Sequence, residues 1–266
     1  MKKGIALLLS VAMIFALCTA AFAEQPQKLV LLGDSIAWGT GVYNSEEACY
    51  GRIVANTNGY DYANFAEDGT RSWDLLEKME SDEVKQSIET ADIINISIGG
   101  NDYLQQNLLV IIPEVLLGID ENMDNIEEDF GEYFAQIIEH IRELNPDVCI
   151  IVNTLYNPEK GLLGYIYGQA VLRVNRQINA YHDAHSEDFV LMDVSDVMAH
   201  PMCVAADTIH PSAVGNEVIA GVMLRTLYDM GLGTQLEPVI VTRGIDEIPF
   251  ISYVLRFISN LFSSVF

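Results

Sequence analysis

Five short runs fix the kind of fold this chain can adopt. Leu29–Leu32, Tyr60–Asn64, Ile93–Ile98, Val148–Asn153 and Phe189–Asp193 each have the length and composition of a strand. Most are continuously apolar rather than alternating, the pattern of strands covered on both faces by helices, as in a parallel sheet. Between them lie helix-patterned segments, Glu46–Asn56, Ser72–Met79, Glu127–Leu144, Gly168–His185 and Ser212–Met230. In the third of these, Phe134, Ile137, Ile138, Ile141 and Leu144 recur at helical spacing on one face. Strand–helix alternation predicts right-handed βαβ units and a three-layer α/β/α sandwich around a mainly parallel, five-stranded sheet. No internal repeat, low-complexity linker or second domain is visible.

The ends of the chain read differently from its middle. Met1-Lys2-Lys3, an apolar run from Ile5 to Leu17 and Ala21-Phe22-Ala23 together match a secretory signal peptide spanning residues 1–23, cut after Ala23. Leu17 before Cys18 is too large for a lipoprotein site. The expected organisation is a domain over residues 24–234, then an extension over residues 235–266. Within that extension Phe250–Phe266 places Phe250, Ile251, Val254, Leu255, Ile258, Leu261, Phe262 and Val265 on one helical face, an amphipathic helix suited to docking on the body or to peripheral membrane contact.

The formal net charge is −24, and loss of Lys2 and Lys3 makes it two charges more negative. A chain this acidic repels phosphate backbones, which argues against non-specific nucleic-acid binding. Removal of Cys18 leaves Cys49, Cys149 and Cys203. Cys149 lies in an apolar strand pattern and reads as a buried thiol. Cys49 and Cys203 are the two that an oxidising compartment could pair. Neither CxxC nor HExxH occurs, so no zinc site is expected. The acidic run Asp120–Asn125 lacks the glycine and the final glutamate of a calcium loop, with Asn125 and Gly131 at those positions. No cofactor is called for.

Chemistry concentrates in four places. Gly33-Asp34-Ser35-Ile36 follows the first strand, so the Ser35 hydroxyl falls at the carboxyl edge of the sheet beside a helix start. A serine nucleophile needs a base, and the base an orienting acid. Asp207-Thr208-Ile209-His210-Pro211 supplies both on one short turn, with the Asp207 carboxylate in reach of Nδ1 and Nε2 left free for Ser35. The other histidines compete poorly: His140, His182 and His185 fall in helical stretches expected to face solvent, and His200 has no partner in sequence. Asn101, after Gly99-Gly100, and Gly69, after the second strand, are candidate donors to an oxyanion together with the Ser35 N–H.

These segments resemble, in order, the four blocks of the GDSL/SGNH hydrolase superfamily: Gly33-Asp34-Ser35-Ile36, Asn64 through Gly69, Gly100-Asn101-Asp102 and Asp207-Thr208-Ile209-His210. Ile36 replaces the eponymous leucine. The resemblance implies a flavodoxin-like sandwich, a Ser35–His210–Asp207 triad, an oxyanion hole of Ser35, Gly69 and Asn101, and hydrolysis of carboxylic esters without a metal. It leaves the substrate open between a lipid-like ester and an acetylated glycan, with an acyltransferase, a thioesterase or a non-catalytic surface-binding protein as alternatives. Tyr103–Asp129 falls outside the blocks. Its apolar stretch Leu108–Leu117, broken by Pro113, either lines a substrate cleft or forms a core helix followed by a solvated loop.

Overall fold

The computed structural model describes residues 26–157 and 161–240. The residues read as a signal peptide and the segment Phe250–Phe266, expected as an amphipathic helix, lie outside the described residues. The elements follow in the order β1 (Lys28–Gly33), α1 (Ser35–Trp38), α2 (Ser45–Ala48), α3 (Tyr50–Asn58), β2 (Asp61–Asn64), α4 (Ser72–Met79), α5 (Asp82–Glu89), β3 (Ile93–Ser97), α6 (Gly100–Leu104), α7 (Leu108–Leu117), α8 (Glu121–Leu144), β4 (Cys149–Asn153), α9 (Gly161–Ala184), β5 (Val190–Met192) and α10 (Ala213–Asp229). The sheet order is β2-β1-β3-β4-β5, and every pairing is parallel. This is the flavodoxin-like doubly wound order, with its switch point where β1 adjoins β3.

Each strand feeds two cores because successive side chains point to opposite faces. Val30, Leu32, Ile94, Ile96, Ile150 and Val152 meet α4, α5, α8 and α9 on one side. Leu29, Leu31, Ile93 and Ile151 meet α3 and α10 on the other. Burial on both faces explains why these runs show no polar alternation.

The helices depart from the sequence reading at definite points. The segment expected as one helix over Glu46–Asn56 is two, split where Cys49 adopts an extended ψ of 150°. Asn216 of α10 makes the break tolerable, its Oδ1 accepting from the Tyr50 N–H at 3.0 Å. Helix α8 begins at Glu121 rather than Glu127. The acidic residues of its first turn suit the positive end of the helix, and Asp120, Asp124 and Glu127 all pair with the buried Arg173. Helix α7 continues through Pro113. The missing N–H frees only the carbonyl of Leu109, a residue 88% exposed to water.

Cys149 and two histidines also differ from expectation, His182 being half-buried against Phe189, and the pairing left open for Cys49 and Cys203 is not formed. Cys149 is half-buried, and Cys49 and Cys203 are free, buried and separately partnered by Tyr62 Oη (3.1 Å) and the Val197 carbonyl (3.6 Å). His140 is half-buried beside Glu80 rather than facing solvent. From Met230 to Ile240, the last described residue, the chain stays on the body: Tyr60 Oη donates to the Leu232 carbonyl at 2.6 Å and the Val239 N–H donates to Thr57 Oγ1 at 2.9 Å.

One buried polar cluster interrupts the apolar strands. Tyr50 Oη donates to Asn95 Oδ1 (2.6 Å), Asn95 Nδ2 donates to Asn153 Oδ1 (2.8 Å), and Asn153 Nδ2 donates to Tyr50 Oη (3.2 Å). The ring of bonds leaves no member without a partner. Tyr50→Phe keeps the volume but strips Asn95 Oδ1 of its donor, so chemical denaturation should register a loss of about 1–3 kcal/mol. A loss near zero would show that the cluster is not satisfied as drawn.

Candidate active site

β1 and β3 converge where Ser35 begins. Gly33 lies opposite Ser97 in the register, and the Asp34 N–H donates to the Ser97 carbonyl at 3.0 Å. A Cβ on Gly33 would stand 1.9 Å from that carbonyl oxygen, and its φ is +136°, so only glycine fits. Asp34 then caps α1, its Oδ1 accepting from the Ile36 N–H at 3.0 Å. Ser35 is thereby the first residue of a helical turn at the carboxyl edge of the sheet.

His210 returns from 175 residues downstream, with Nε2 2.8 Å from Ser35 Oγ. The turn that carries it is closed by a bridge between Val204 and Pro211 and by the Ala205 N–H donating to the His210 carbonyl at 2.8 Å. Thr208 in this turn has φ +67°, the one positive value for a non-glycine among the described residues. For a β-branched residue that conformation costs about 1–3 kcal/mol. Two contacts hold it against relaxation. Tyr156 Oη donates to the Ile209 carbonyl at 2.7 Å, and the Gly41 backbone approaches so closely that a Cβ there would lie 2.3 Å from the Pro211 oxygen.

Asp207 completes the line. Its Oδ2 is hydrogen-bonded to His210 Nδ1, while Oδ1 accepts from the N–H groups of Ile209 (3.1 Å) and His210 (3.0 Å). A carboxylate only accepts, so the ring proton resides on Nδ1 and Nε2 faces the hydroxyl as an acceptor. Burial pushes the Asp207 carboxyl up, but the hydrogen bonds and charge of His210 and the two backbone donors together hold it below the ordinary aspartate value.

Asn101, on the first turn of α6, donates through Nδ2 to the Thr70 carbonyl at 3.1 Å. An amide has two N–H bonds, so this one is both anchored and able to donate again. Gly69, with φ +81°, sits in the turn after β2, and its carbonyl accepts from Gln105 Nε2. Residues the sequence reading passed over fasten this arrangement. Thr40 Oγ1 donates to Asp68 Oδ1, joining the loop after Ser35 to the Gly69 turn. Asp102 accepts from the Ser72 hydroxyl and from its N–H, at 3.1 Å for the latter, joining α6 to α4. The one sequence signal for Asp34 and Asp102 was adjacency to Ser35 and Asn101. Beside the Thr40–Asp68 contact is a cleft of about 100 Å³ bordered by Trp38, Thr40, Tyr43, Ser45 and Asp68, and none of Ser35, Gly69, Asn101 or His210 lines it. The three candidates at Ser35, His210 and Asp207 are brought into one hydrogen-bonded line, and Gly69 and Asn101 stand on two turns clasped together at the same sheet edge.

A model of the GDSL-like lipase/acylhydrolase family matches residues 31–218. The chain belongs to this family, whose members are hydrolases acting on ester bonds. The protein YpmR of Bacillus subtilis (strain 168), uncharacterized, is 33% identical over 138 residues, 49% of this chain. The chain spans about half the length of that curated relative, 51% of it. Among solved structures, the lipase Lip_vut3 from a goat rumen metagenome superposes with a TM-score of 0.58 at 20% identity, covering 79% of this chain and all of its own. Phospholipase A1 from Streptomyces albidoflavus NA297 gives 0.57 at 18% identity, covering 77% and 99%. An acetyl-xylooligosaccharide esterase from Geobacillus gives 0.58 at 17% identity, covering 81% and 98%. These likenesses show that the sandwich is the fold of GDSL/SGNH hydrolases.

Burial pushes the Asp34 carboxyl up to about 7, against the Ile36 N–H and the charge of His210, and pushes Asp102 up to about 6 against its Ser72 bonds. Folded Asp34 therefore keeps a proton that the unfolded chain releases near 3.8. Stability contributed by this group falls as pH rises from about 4 to about 7. Asp34→Asn retains a good cap and removes the buried charge, so its melting temperature relative to the wild type should be higher at pH 8 than at pH 5. A difference that stayed constant across that range would mean that Asp34 ionises freely.

Proposed function

We propose that this protein is a secreted serine ester hydrolase in which Ser35 is the nucleophile, His210 the general base and Asp207 its orienting acid. The observation that carries the reading is the unbroken line from Asp207 through both nitrogens of His210 to Ser35 Oγ, with Nε2 at 2.8 Å. In the first step Ser35 Oγ attacks the ester carbonyl as Nε2 takes the hydroxyl proton. The negative charge moves to the carbonyl oxygen, where the N–H groups of Ser35 and Gly69 and the second Nδ2–H of Asn101 are the proposed donors. His210 then gives its proton to the departing alcohol, leaving Ser35 acylated. Water attacks the acyl carbon with His210 again as base, and the acid leaves. Asp207, held ionised by its backbone donors, stabilises the imidazolium that forms twice in the cycle.

Ser35→Ala should abolish hydrolysis of a chromogenic acetate ester while the circular dichroism spectrum is preserved. Full retained turnover would remove Ser35 from the mechanism. Asn101→Ala should lower kcat by about 10²- to 10³-fold with KM little changed, the signature of a group that acts on the transition state. Secretion is supported by the pattern of residues 1–23. Mass spectrometry of protein recovered from the medium should find Glu24 at the amino terminus, and an intact Met1 there would contradict it.

A further inference from the structure

The outward face of α7 is left unused by the ester-hydrolase reading. Its inner side is ordinary, with Ile111 and Val115, one turn apart, 7% and 4% exposed in the core. The opposite side projects into solvent: Leu109 is 88% exposed, Leu117 74% and Leu116 49%, with Val110 beside them. Surface helices normally turn charged or polar residues outward; this one turns leucine. Its single charged side chain, Glu114, is directed back onto α8, with Oε1 accepting from Asn122 Nδ2 at 2.7 Å and Oε2 buried. On α9, which packs against α7, Leu162 and Tyr165 are likewise more than half exposed. Only Gln105 to Asn107 separate α7 from α6, the helix that bears Asn101.

We infer that α7 docks the protein on a lipid surface of neutral or zwitterionic headgroups, and that esters held in such a surface are its substrates. The exposed face carries no charged side chain to give a protein partner its register, whereas protein interfaces surround an apolar centre with a polar rim. Acyl chains need no such register: an interfacial helix sinks its apolar side among them and gains by area alone. The headgroup follows from charge. The chain carries −24, and α7 has neither lysine nor arginine, so an anionic leaflet repels it. Among the described residues no helix is long and apolar enough to cross a membrane, which leaves contact in the plane of the surface. Docking rests on the α7 face alone; its use in delivering substrate rests on the ester-hydrolase reading.

The test uses the full chain carrying Ser35→Ala, so that binding is read without turnover. The protein should cosediment with phosphatidylcholine vesicles, and replacing half of that lipid by phosphatidylglycerol should weaken binding. Leu109→Glu with Leu117→Glu should lower the partition coefficient at least tenfold without changing the circular dichroism spectrum or melting temperature. Leu255→Glu with Phe262→Glu, in the carboxyl-terminal segment, should leave it within twofold. Absence of binding, tighter binding to the anionic vesicles, loss of binding with the second pair alone, or a dimer that the first pair dissolves would each overturn the proposal. Hydrolysis of a soluble acetate ester by protein that retains Ser35 reads the chemistry separately. Intact hydrolysis without vesicle binding sinks only the docking, and vesicle binding without hydrolysis sinks only the ester reading.

Discussion

The hydrogen bond from the Asp34 N–H to the Ser97 carbonyl, and the close approach of β1 and β3 that allows it, sets the position of everything at the carboxyl edge of the sheet. These two strands are neighbours in space but not in sequence. The chain leaves one toward α1 and the other toward α6, which opens a crevice between the departing segments, as doubly wound sheets do at their switch point. Gly33 lets the strands meet without a side chain between them. Ser35 and Asn101 therefore start from a shared, rigid base, and their relation is fixed before any loop is considered.

Around that base the electrostatics are dominated by carboxyl groups in different states. Asp207 accepts two backbone N–H bonds and the His210 ring, and its pKa is held down. Asp34 accepts one backbone N–H bond and Asp102 the bonds of Ser72, neither is bonded to the His210 ring, and burial pushes both up. The distinction is one of hydrogen-bond supply against desolvation, not of distance from solvent alone. The proposed roles use this difference: the carboxylate form is favoured at Asp207, and charge is disfavoured at Asp34 beside Ser35. Thr208 shows a similar exchange of stability for position, since its left-handed backbone is held only because neighbouring contacts over-determine the turn.

Farther from the site, Arg173 joins the start of α8 to α9. It is 5% exposed and pairs with Asp120 at 2.7 Å, Asp124 at 3.2 Å and Glu127 at 3.7 Å. A buried guanidinium requires such partners, and removing them would strand its charge. The acidic stretch that follows α7 is thus tied to this buried cation, although Asp120 and Asp124 remain largely exposed and Glu127 also pairs with Arg176 at 3.0 Å.

Local pattern was enough to read the layers and to single out the residues proposed for the chemistry. Five strands were legible because burial on both faces makes continuous apolar runs; Ser35 and Asn101 stood out because each follows a strand at a helix start, and Asp207 and His210 because an acid lies three residues before a histidine in one short turn. Helix limits were legible only where apolar spacing set them, as in Ser72–Met79. They were missed where a long-range contact decided: Asn216 permits the break at Cys49, and Arg173 converts an acidic loop pattern into the first turns of α8. Tertiary structure alone decided that Nε2 of His210 stands 2.8 Å from Ser35 Oγ, that Asn95 and Asn153 satisfy Tyr50 inside the core, and that α7 keeps one apolar side in water. Local pattern reports how a residue relates to its own element. Contacts between residues more than a hundred positions apart depend on how the layers close over one another, and no window of sequence contains that information.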